Sequence, residues 1–170
     1  MAAVMPFACP AMPPPMDGLA TVERYLPPGQ LMACWEPARI STILGSCVAV
    51  CLWDPTLGVG GMNHFLLPRG TAATKVTAPR FGTLAVPRLI EEVLAFGGHP
   101  HHLRAKVFGG ACVLEAFRGR ANHLGTQNVE AALESLRKEG IPVVAEDVGG
   151  DRGRKLIFST CDGNAWVRRL

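Results

Sequence analysis

The sequence predicts an α+β layered fold with a mixed sheet and few, well-separated helices. Three observations carry this. Short β-branched, apolar runs pair into hairpins near both ends of the compact region. Only two stretches carry helical apolar spacing, and they stand well apart in the chain. The resulting order of strands, helix, strand, helix, strands, with hairpins at both ends, makes the sheets mixed rather than all-parallel.

Taken in order, Met1 to Asp17 reads as a disordered, proline-rich arm, and 18–170 as a single domain. Eight of the 14 prolines fall in the first 37 residues, and the run Pro13-Pro14-Pro15 has no periodicity. Arg39 to Leu44 and Val48 to Trp53 are strands. Asp54-Pro55-Thr56-Leu57-Gly58 is turn chemistry, so Met62 to Leu67 returns as the second arm of a hairpin. Val86 to Phe96 is a helix with Pro87 in its first turn and Gly97-Gly98 as its stop. Leu103 to Phe108 is a strand. Thr126 to Glu139 is the clearest helix, with Val129, Ala132, Leu133 and Leu136 on one face. Ile141 to Glu146 is a strand, and Lys155 to Ser159 pairs with Ala165 to Arg169 around Asp162-Gly163.

Composition narrows the function classes. Apolar residues make up 48% and charged residues 18% of the 170-residue chain, which excludes a wholly disordered protein. No apolar run approaches the ~20 residues of a membrane-spanning helix. The net charge of +3 comes without a basic stripe interleaved with aromatics, which argues against nucleic-acid binding. No Lys or Arg precedes Arg24, so no secretory leader is expected, and a cytoplasmic setting with reduced thiols follows. Most of the six cysteines then act as small buried hydrophobes.

Cys47 is the exception to weigh. A strand runs into Gly45-Ser46, and the thiol follows the bend, where small neighbours leave room and backbone N–H groups can turn toward an oxyanion. The plain alternative is a core cysteine opening an apolar strand. His64 shifts the balance. A hairpin centred near Thr56 sets His64 opposite Val48, within about a residue of Cys47, where an imidazolium would favour the thiolate. Ser41 or Thr42, on the preceding strand, supplies a hydroxyl to orient the ring. Elsewhere, His99, His101 and His102 read as a polar loop before a metal site. Gly149 to Arg154 reads as a solvated turn before an anion nest. No cofactor or metal is expected.

Several ordered blocks resemble the chemoreceptor glutamine deamidase family (CheD). They are Leu44-Gly45-Ser46-Cys47-Val48-Ala49-Val50-Cys51-Leu52, then Asp54-Pro55, then Gly60-Gly61-Met62-Asn63-His64-Phe65-Leu66-Leu67-Pro68. Lys106 to Ala111, Gly125 with Asn128-Val129, and Ala145 to Gly150 with Arg152 and Arg154 follow in order. The resemblance spans about 31–170. It implies a protein-glutamine deamidase, a hydrolase acting on bacterial chemoreceptors, with a fold similar to the catalytic domain of cytotoxic necrotizing factors: packed mixed β-sheets with a few outer helices. It implies Cys47 and His64 as catalytic residues. The family's third position, commonly threonine six residues before the cysteine, falls on Ser41, with Thr42 beside it. Phe81 and Thr83 depart from the family's tyrosine and acidic residue. Implied partners are the cytoplasmic helices of receptors and, in some members, a chemotaxis response-regulator phosphatase. A non-catalytic adaptor and a receptor methylesterase are the rival readings.

Overall fold

The computed structural model describes residues 5–6, 21–70, 79–117 and 119–170. The expected arm, 1–17, therefore lies outside the described residues except for Met5–Pro6 (β1), which pairs in parallel with Ala145 and Glu146. The remaining strands are β2 Val22–Tyr25, β3 Gln30–Cys34, β4 Ala38–Leu44, β5 Val48–Asp54, β6 Val59–His64, β7 Arg104–Gly109, β8 Val143–Val148, β9 Arg154–Ser159 and β10 Ala165–Arg169. The helices are α1 Gly82–Ala95 and α2 Leu124–Lys138, with a 3-10 turn at Glu115–Phe117.

Two mixed sheets result. One has six strands in the order β1-β8-β7-β5-β6-β3, and the other has four in the order β10-β9-β4-β2. Parallel pairs (β7 with β8, β2 with β4) sit beside antiparallel ones, as the hairpin-flanked order predicts.

Strand β5 explains the layering. All seven of its residues are buried, and a strand turns successive side chains to opposite faces. Val48, Val50 and Leu52 face a core shared with Val86, Leu89 and Val93 of α1 and Ala132 and Leu136 of α2. Ala49, Cys51 and Trp53 face a second core shared with Ile40, Leu44, Leu156 and Phe158 of the smaller sheet. The larger sheet is thus sandwiched between helices and the smaller sheet. Each fully buried Val, Leu or Phe contributes roughly 1.5–3 kcal/mol, so two cores fix β5 more firmly than any edge strand.

Three expectations need correction. Helix α1 begins at Gly82, a turn earlier than Pro87 suggested, because the amides of Gly82 and Thr83 are taken by the carbonyls of Leu67 and Pro68. Pro87 sits inside the helix. The second arm of the hairpin is Val59–His64, not Met62 to Leu67. Its register differs by one residue as well: Asp54 pairs with Val59, Cys51 with Met62 and Val48 with Phe65. His64 therefore lies opposite Ala49, not Val48.

Candidate active site

That single step of register has a chemical consequence, because a one-residue slip exchanges the two faces of a strand. Opposite Ala49, His64 shares the inter-sheet face with Met62, Cys51 and Cys47, and Cys47 packs against that core. Cys47 and His64 are then diagonal neighbours on one face, an arrangement that brings side chains within reach. Cys47 is half-buried at the mouth of the inter-sheet seam, and His64 is buried.

The third group is Thr42. Its Oγ1 lies 2.8 Å from Nδ1 of His64 and donates to the carbonyl of Leu26, also at 2.8 Å. A hydroxyl has one hydrogen. Since Leu26 takes it, Thr42 must accept from the ring. Nδ1 therefore carries the ring proton, and Nε2 is left as a bare lone pair. Nε2 is buried and has no hydrogen-bond partner among the described residues.

Ser41 does not reach the ring. Its hydroxyl sits 3.4 Å from the carbonyl of Arg24 on the outer face of β4. This corrects the expectation that Ser41 orients His64, and the cause is strand alternation. Ala38, Ile40, Thr42 and Leu44 are buried in turn, while Arg39, Ser41 and Ile43 face outward. The apolar partners Ile40 and Leu44 were the signal in the sequence that position 42 faces the seam.

The electrostatics also differ from the expected thiolate–imidazolium pair. Burial lowers the His64 pKa to about 4, and the group that holds the ring at Nδ1 is a hydroxyl. Burial pushes the Cys47 thiol above its ordinary value, with the residue's own backbone N–H pulling the other way. At neutral pH the resting pair is a thiol beside a neutral imidazole that can accept its proton.

The Gly45–Cys47 bend is held from several sides. The amides of Gly110 and Ala111 donate to the carbonyls of Cys47 and Gly45, both at 2.9 Å. Asn128 of α2 donates through Nδ2 to the carbonyl of Ser46 at 2.9 Å and to that of Leu66 at 3.0 Å. Asn63 accepts from the amide of Val50 at 2.8 Å, filling a gap in the β5–β6 ladder next to His64. Nothing in the sequence marked Asn128 beyond its place in a recognisable block.

Beside Ser46 opens a cleft of about 270 Å³, walled largely by Ala111, Val113, Leu114, Phe117 and Leu124. Val113, Leu114, Phe117 and Leu124 are all substantially exposed. The rival clusters are occupied otherwise. Arg154 is buried and bonds the carboxylate of Asp147 at 2.7 Å and the carbonyls of Asp147 and Gly149, so its guanidinium is committed internally. The amide of His99 donates to the buried Asp54, and the rings of His99, His101 and His102 lie against one another. No group of His, Cys, Asp and Glu among the described residues is arranged to hold a metal ion. No described helix is long and apolar enough to cross a membrane.

The family described as "CheD chemotactic sensory transduction" matches residues 66–169. A "Probable chemoreceptor glutamine deamidase CheD 1" of Anaeromyxobacter dehalogenans is 53% identical over 163 residues, covering 96% of this chain and 94% of that protein. Relatives named "Probable chemoreceptor glutamine deamidase CheD" include one of Trichlorobacter lovleyi, 46% identical over 86% of this chain and 90% of its own length. Another, of Stenotrophomonas maltophilia, is 44% identical over 88% of this chain and 74% of its own length. Among solved structures, the Bacillus licheniformis hypothetical protein YfiH is a loose likeness, with a TM-score of 0.45 and 16% identity over 68% of this chain and 49% of that one. On the family match and the identity to these relatives, the chain belongs to the CheD family.

Proposed function

We propose that this protein deamidates glutamine side chains on bacterial chemoreceptors, converting them to glutamate with release of ammonia. The observation that carries the chemistry is the neutral His64, with Nδ1–H held by Thr42 and a bare Nε2 on the face that Cys47 shares. Family membership carries the substrate class.

The reaction follows from this chain's own groups. A receptor glutamine enters along the apolar cleft beside Ser46, its amide carbon at the Cys47 sulfur. Sγ attacks as Nε2 of His64 takes the thiol proton, and the charge on the amide oxygen falls on backbone N–H donors of the bend. The imidazolium so formed is disfavoured by its burial. It hands the proton to the departing nitrogen, and ammonia leaves. Water then attacks the thioester with Nε2 again as the base, and the products are glutamate and the free thiol. Thr42 keeps Nε2 aimed throughout. No step requires a metal or cofactor.

In this reading the protein works in the cytoplasm, where the methylatable receptor helices lie. The resemblance to the family implies a response-regulator phosphatase of the chemotaxis pathway as a second partner that competes with receptor. The test is to incubate the protein with a receptor cytoplasmic fragment and map masses peptide by peptide. The expected result is amide-to-acid conversion at discrete glutamines, absent with Cys47→Ala. Loss of methyl esters instead identifies an esterase, and binding without any mass change identifies an adaptor; either result overturns the proposal.

A further inference from the structure

The deamidase reading needs an oxyanion donor at the sulfur, and the structure contains a side chain that sets one. Asn128 is fully buried on α2, and its Nδ2 forks between two carbonyls, one in the bend before β5 and one just past β6. One belongs to Ser46, immediately before the nucleophile. The other belongs to Leu66, two residues after His64. With both amide hydrogens used, its Oδ1 is left buried and without a partner. An asparagine that accepts this cost is held there by its donors.

The fork fixes a peptide plane. In a trans peptide the C=O and the next N–H point in opposite directions. Pinning the Ser46 carbonyl toward α2 therefore turns the Cys47 N–H away from the helix. That amide lies against its own sulfur, where it favours the thiolate. The next carbonyl, that of Cys47, is pinned separately by the amide of Gly110. Helix α2 can come this close because Gly125, one turn before Asn128, meets Gly110 backbone to backbone; a Cβ on Gly125 would lie 2.2 Å from the Gly110 carbonyl oxygen.

We propose that Asn128 is a positioning residue for the deamidation: its forked amide orients the Cys47 N–H as the oxyanion donor and ties the nucleophile bend to the strand that carries His64. It touches neither substrate nor reacting atoms. Asn128→Asp keeps the shape but can supply at most one hydrogen, so the fork to both carbonyls is lost. Loss of a fixed oxyanion donor costs about a hundredfold in kcat, and KM should stay within about threefold because the cleft is untouched.

Alkylation of Cys47 by iodoacetamide separates this role from a general loosening of the site. Displacement at carbon needs the thiolate but builds no oxyanion, so its rate should change far less than kcat. Because this inference rests on the deamidase reading, wild type and Asn128→Asp are assayed together on a receptor fragment, with Cys47 alkylation measured in parallel. The inference predicts active wild type, and in the variant a large fall in kcat with KM and alkylation nearly kept. A variant kcat within about threefold of wild type, or alkylation falling in step with kcat, overturns the inference alone. An inactive wild type overturns the deamidase reading and the inference with it. If Asn128→Asp shows no cooperative thermal transition, Asn128→Thr decides by the same criteria. Its hydroxyl can hold only one carbonyl at a time, so its kcat should also fall by more than about threefold.

Discussion

Cys47 and Cys51 stand four residues apart and point into the same seam between the sheets, yet they belong to different chemical worlds. Cys51 is fully buried among Trp53, Met62 and Phe158, and burial drives its thiol far out of the physiological range. It is packing. Cys47 lies at the mouth of the seam, half-exposed, on the face that carries a neutral imidazole, with pinned backbone on both sides. The sulfur is the same in both, so in the proposed mechanism reactivity comes from position along one strand. The dry part of the seam supplies rigidity, and its open end supplies access and a proton acceptor.

The sharpest way to break this comparison is to remove each sulfur in turn. Cys47→Ala should lower receptor deamidation by on the order of 10⁴-fold or more while the thermal midpoint stays near that of wild type. Measurable turnover within about tenfold of wild type would take Cys47 out of the mechanism.

The two hydroxyls of β4 sharpen the same contrast one layer away. Thr42→Val keeps shape but loses the oxygen that accepts from His64, and kcat should fall by about ten- to a hundredfold, as for other residues that orient a working imidazole. Ser41→Ala, on the outer face, should leave kcat within about twofold. Steady-state rates against receptor concentration for both variants check this, and a reversed order would place the ring contact on the wrong residue.

The depressed His64 pKa also ties the site to stability. In the unfolded chain the imidazole protonates near its ordinary 6.5, whereas in the folded chain it resists until about pH 4. Between those values the unfolded state holds the extra proton, so stability falls as pH falls through this window. The loss from pH 7.5 to pH 5 is about 2 kcal/mol from this group. Denaturant titrations of wild type and His64→Gln at the two pH values isolate it. The variant should show a shallower loss by about that amount, and parallel losses would mean that the folded state does not disfavour the imidazolium. The smallest effect is expected from Cys51→Ala, roughly 1 kcal/mol of stability with turnover nearly unchanged, read from the same titrations and assays.

How much of this was legible in the sequence follows from which forces are local. Strands β4, β5 and β10 announce themselves through β-branched and apolar runs, and α2 through its apolar stripe. Strand β2, Val-Glu-Arg-Tyr, does not, because three of its four residues are exposed and it exists only as a parallel partner of β4. The hairpin was visible, but its register was not. Gly60 and Gly61 permit close approach, since a Cβ on Gly60 would lie 2.7 Å from the Thr160 carbonyl oxygen, and one on Gly61 would collide with that of Met32. Those neighbours come from distant segments. Thr42 was readable from the alternation of Ile40 and Leu44, and the family offset pulled the expectation to Ser41. Asn128 was unreadable, because its value lies in two carbonyls at sequence separations of 82 and 62 residues.

The claim on which the rest depends is that His64 rests as a neutral, Nδ1-protonated ring with Nε2 free to take a proton. Nitrogen-15 NMR of the imidazole through a pH titration reads both features at once. The account predicts a proton on Nδ1, a bare Nε2, and no charging of the ring until about pH 4. A proton on Nε2 at neutral pH, or a ring that charges near its ordinary value of 6.5, would contradict it.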